Sequence, residues 1–87
     1  MEQNLSKNLT ASGLVKTGYG CVEGVIIASH TSGTLKLWDN TSAAGTVLVN
    51  TISFGVGEHS IDLYDIPFNT GCYATIGGTA DITIVYC

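Results

Sequence analysis

The stretch from Gly71 to Cys87 constrains the fold of this chain more than any other. Apolar residues recur at every second position: Cys72, Ala74 and Ile76, then Ala80, Ile82, Ile84 and Tyr86. A period of two belongs to a strand with one buried face. Gly77-Gly78 interrupts the run and reads as the turn of a β-hairpin. A two-residue loop would set Ala74 opposite Asp81 and place an acid on the apolar face. A three-residue loop, Gly77-Gly78-Thr79, pairs Ile76 with Ala80, Ala74 with Ile82 and Cys72 with Ile84. A slip of one residue turns every side chain over, so the second register is predicted, with glycine supplying the left-handed conformation that such loops need.

Upstream the same grammar repeats. Cys21 to Ser29 reads as a strand, His30-Thr31-Ser32-Gly33 as a hairpin loop, and Thr34 to Asp39 as a strand with Leu35 and Leu37 facing in and Lys36 and Trp38 facing out. Thr46 to Phe54 changes phase near Asn50, which predicts a bulge. Ser60 to Tyr64 alternates again, and Pro67 keeps Asp65 to Phe68 out of any central strand. No pattern of period 3.6 is long enough for a helix. The expected fold is all-β: a small antiparallel β-sandwich, jelly-roll-like or Ig-like, of six to seven short strands. It occupies residues 11–87, behind an N-terminal arm at 1–10. That arm is too polar to form a core element alone. It is expected to lie on another subunit, with Leu5 and Leu9 as apolar anchors.

Length and charge narrow the function. At 87 residues there is room for one small core. Charged residues are 11% of the chain, against roughly 25% in ordinary soluble domains. A surface that poor in charge is suited to facing other protein. The net charge is −4, and Lys7, Lys16 and Lys36 are the only basic side chains. That argues against nucleic acid, whose phosphates need clustered lysine and arginine, and against an anionic membrane surface. The opening residues lack the basic and apolar regions of a secretory signal, so the expectation is synthesis in a cytoplasm. Three cysteines without a Cys-x-x-Cys spacing are then expected to be free thiols, and no metal or cofactor is expected.

No reaction chemistry emerges from the motifs. His59 and Asp62 stand three apart, which puts them on opposite faces of a strand. His30 falls in a predicted loop, and nothing sets a base beside a thiol. The aromatics expected to show a face outside the core are Trp38, Tyr64, Tyr73 and Tyr86. They fit either sugar stacking, as in a small carbohydrate-binding module, or a protein interface, which the absence of an Asp/Asn/Trp loop cluster favours. Trp38 and Tyr64, with Leu5 and Leu9, are the candidate partner contacts.

Four blocks carry a resemblance: Ala11 to Lys16, Ser32 to Thr41, Gly45 to Thr51 and Thr70 to Asp81. In this order they resemble a group of small proteins encoded among the structural genes of tailed bacteriophages, over about residues 11–86. The resemblance implies a virion component that is not an enzyme, in the first place a capsid decoration, or cement, protein on the major capsid protein lattice. A tail, neck or fibre component is the alternative. It fits a homo-oligomer, with a trimer matching a three-fold capsid position. It carries no catalytic residue to this chain.

Overall fold

The structure, a computed structural model, describes residues 5–87. Residues 1–4 of the arm lie outside that range. Among the described residues six strands follow one another without a helix: β1 Leu5–Leu9, β2 Gly13–Thr17, β3 Gly20–Asp39, β4 Thr46–Ser53, β5 Ser60–Phe68 and β6 Gly71–Tyr86. All pairings are antiparallel and join one sheet in the order β1-β6-β3-β4, with β2 also on β6 and β5 also on β3.

The two long central strands decide the architecture. β3 and β6 pair from Val22↔Tyr86 through Ile27↔Ile82 and Leu37↔Ala74 to Trp38↔Tyr73. Each therefore serves two layers. In the first, β1 and β5 flank residues 82–86 of β6 and 22–26 of β3. In the second, β2 and β4 flank the other halves of the same two strands. With no helix to cover a sheet face, the inner faces of the two layers bury each other. Val22, Ile82 and Ile84 from the first layer and Leu35, Leu37, Cys72 and Ala74 from the second are fully buried in one cluster. The molecular extents of 32 × 30 × 18 Å suit two layers about 10 Å apart with their outer side chains. This is an all-β sandwich, as expected.

Two expected hairpins do not exist. His30–Gly33 and Gly77–Thr79 lie inside β3 and β6, where the strands bend together: Thr31 pairs with Thr79 and Thr34 with Gly77. Ser32 has φ 50° and Gly78 φ 69°, so both strands use a left-handed residue at the fold line. Such a residue can reverse a chain or merely bend it. Bending wins here because each strand stays beside its partner, so the ladder runs on across the fold with only a register shift. β3 takes up the longer path with three register shifts, near Gly24, Ala28 and Ser32. The face assignment survives the loss of the hairpins, because continuing a strand keeps the same even positions inward. Ala74, Ala80, Ile82 and Ile84 are buried and Ile76 is half-buried.

The arm is corrected more deeply. From Leu5 onward it is β1, paired within the chain from Leu5↔Tyr86 to Leu9↔Ile82. Leu9 is 8% exposed and packs in the core, while Asn8 donates to Asp81 Oδ1 and to the Ile82 carbonyl. An edge ladder satisfies the polar backbone that seemed to require another subunit. The cysteine expectation fails for two of the three. Cys21 and Cys87 exchange backbone hydrogen bonds and are joined by a disulfide, leaving Cys72 as the free thiol. A separation of sixty-six positions in sequence hides a proximity that only the β3–β6 ladder creates.

Candidate functional site: an apolar row on an outer face

The second layer carries a line of side chains on its outer face. Leu14 of β2 stands opposite Tyr73 of β6, Tyr73 opposite Trp38 of β3, and Trp38 opposite Val47 of β4. Opposed residues of an antiparallel ladder share a face, so these four form a row across four strands, about 14 Å long. Leu14 and Val47 are exposed at its ends, and the two rings are half-buried in its middle. The alternation within each strand put the inner neighbours, Leu37, Ala74 and Val15, into the core and left the row outside.

The tryptophan is held in place. Its Nε1–H donates to Thr75 Oγ1 at 3.0 Å, and Lys36 Nζ stands 4.4 Å from the ring centroid. A cation over an indole face is attracted by its quadrupole, by about 0.5–1 kcal/mol at an exposed site. A fixed aromatic loses little side-chain entropy on binding, which favours a contact role.

The expected contact residues are not gathered in one place. Trp38 is in the row. Tyr64 is 81% exposed, but on β5 of the first layer, at a bulge where Tyr64 and Asp65 both take positive φ. Leu5 is exposed on β1 of that same layer, and Leu9 is inside. Leu14 and Val47 were not singled out from sequence. Each sits in an apolar run, Leu14-Val15 and Val47-Leu48-Val49, whose pattern does not say which side chain faces out, and the register that aligns them with Trp38 belongs to the paired strands.

His30, Asp39 and the cysteines have structural partners or burial that account for them. His30 Nε2–H donates to the Gly55 carbonyl while its Nδ1 accepts from the Gly33 N–H, and its ring meets Phe54 edge-on at 5.4 Å. It clamps the β4–β5 loop to the fold line. Asp39 Oδ1 accepts from the N–H groups of Thr70, Asn69 and Gly71. The Thr70 bond foremost holds this carboxyl below its ordinary value, against an opposing desolvation. Burial, helped by the Asp39 charge, pushes the Cys72 thiol up to about 12, so it stays protonated and a poor nucleophile. Cys21 Sγ and the carboxylates of Glu23 and Asp65 lie within 4.8 Å of one another, but the sulfur is bonded to Cys87 and offers no thiolate to a metal.

The fold and surface thus define a small all-β sandwich with a closed core and an ordered apolar row. No protein-family model, curated protein or solved structure matches the chain.

Proposed function

We propose that this protein is a structural component of a tailed-phage virion, a capsid decoration protein that seats its outer-face row on the major capsid protein lattice. The row is the observation that carries the reading. Leu14, Trp38, Val47 and Tyr73 fall one in each of the four blocks that resemble the phage proteins, and those blocks supply the strands of the second layer. A charge content of 11% suits a molecule whose surface meets other protein, and aromatic anchors dominate the energy of such interfaces.

The test is binding of the purified protein to undecorated shells, read by co-sedimentation. A Trp38→Ala/Tyr73→Ala double variant points outward and should stay folded by circular dichroism. It should lose at least about 2 kcal/mol of binding, some thirtyfold. Full occupancy of the shell by the folded variant would refute the reading. Labelling on whole particles separates the shell from the tail or neck, and sedimentation equilibrium tests the trimer. The neighbouring Tyr73 and Trp38 rings also favour a second reading, a sugar-stacking face, although Lys36 already stands over the indole. Saturable quenching of Trp38 by an oligosaccharide would select it.

A further inference from the structure

The first layer has a different outer face. Between β3 and β5 lies a shallow open hollow of about 270 Å³. Gly24 forms its floor, where β5 passes so close that a Cβ would stand 2.8 Å from the Ile61 carbonyl oxygen. Val85 and Ile26 wall it. Ile26 is 52% exposed, the one large hydrophobic residue of either long strand left open to solvent. Water-exposed aliphatic surface beside a concavity favours an apolar occupant.

The rim also carries acid. Glu23 and Asp62 line the hollow, and the Asp65 carboxylate lies within 4.8 Å of that of Glu23. The positive-φ pair at Tyr64 and Asp65, braced by the Tyr64 N–H donating to Asp62 Oδ1 at 2.8 Å, brings Asp65 there. None of the three lysines lines this place. An occupant that complements both halves of the hollow needs an aliphatic stem and a cationic head. A bare metal ion would engage the carboxylates alone and leave the aliphatic walls of Ile26 and Val85 in water.

We infer that the hollow receives one arginine side chain from a partner protein, its methylenes on Ile26 and Val85 and its guanidinium between Glu23 and Asp62. Arginine's planar fork matches carboxylate oxygens and its stem tolerates apolar contact. The inference goes beyond the shell-binding reading and is independent of it: it names the chemistry of a second contact, on the other layer, whatever the partner.

The experiment titrates N-acetyl-arginine amide into the isotope-labelled full chain at low salt, following backbone amides by NMR, with N-acetyl-citrulline amide as the neutral isostere. Saturable shifts are expected at Gly24, Ile26, Ser60 and Val85, with a dissociation constant on the order of 1–10 mM for so small a ligand. Citrulline should bind roughly tenfold more weakly. Glu23→Gln and Ile26→Ser should each weaken the arginine response, with melting showing the fold retained. The Trp38→Ala/Tyr73→Ala variant should leave it unchanged, which separates failure here from failure of the shell reading. No saturation at these amides, an equal response to citrulline, or the same shifts with calcium chloride alone would overturn the inference.

Discussion

Breaking the Cys21–Cys87 bridge should be the most damaging covalent change available to this protein. The bond closes a loop of sixty-six residues, nearly the whole domain. In the chain-entropy account its loss frees the unfolded state by about 4 kcal/mol at 25 °C. A domain this size has a total stability of roughly 4–13 kcal/mol, so a third or more is at stake. With about 2 cal/mol/K per residue of unfolding entropy, the melting temperature should fall by about 20 °C. The assay is thermal unfolding with and without a phosphine reductant, and of a Cys21→Ala/Cys87→Ala variant. Reductant should move the native protein and leave the variant where it is. Thiol counting gives an independent check. Alkylation of unreduced protein should modify Cys72 alone, and only after denaturation, because that thiol is buried and held protonated. A shift of under about 3 °C on reduction, or three modified thiols without reductant, would refute the reasoning.

Three further outcomes follow from the geometry. Gly78→Ala should destabilise by about 2–3 kcal/mol in urea unfolding, because its φ of +69° disfavours a side chain and the Cβ would strike the Ser32 carbonyl, whereas Gly18→Ala, with φ +89° but open space around it, should cost only about 1 kcal/mol. Asp39→Ala removes the acceptor of three backbone N–H groups and should cost roughly 1–2 kcal/mol at neutral pH, the exposed setting discounting the upper range. Since the folded carboxyl is depressed, its contribution is complete above the ordinary value of 3.8 and disappears as pH falls through the folded value. The stability of the wild type should therefore approach that of Asp39→Ala in acid, as urea midpoints across pH 2–7 would show. Leu9→Ala should lower stability by about 2–4 kcal/mol, since Leu9 is a core residue of β1, and an unchanged urea midpoint would put β1 back outside the core.

Much of this protein was written in its local pattern. Whether a residue points in or out depends on parity along one strand, and parity needs no knowledge of neighbours. Hence Leu35, Leu37, Ala74, Ile82 and Ile84 could be placed inside, and Trp38 outside, from the sequence alone. The phase change at Asn50 and the edge position of Pro67 were equally local, one a broken alternation and the other a missing donor; β4 does shift register there, and β5 is an edge. What local chemistry could not decide was which strands meet. Gly77-Gly78 allows positive φ whether the chain reverses or only bends, and the choice fell to β3, which bends at Ser32 alongside it. The same long ladder brought Cys21 to Cys87 across sixty-six residues and gave β1 an edge to join. The apolar row exists for that reason too. Leu14, Trp38 and Tyr73 face outward by the alternation of their own strands and Val47 at a register shift of β4, but the four stand side by side only because register, a property of paired backbones and not of any one segment, sets them there.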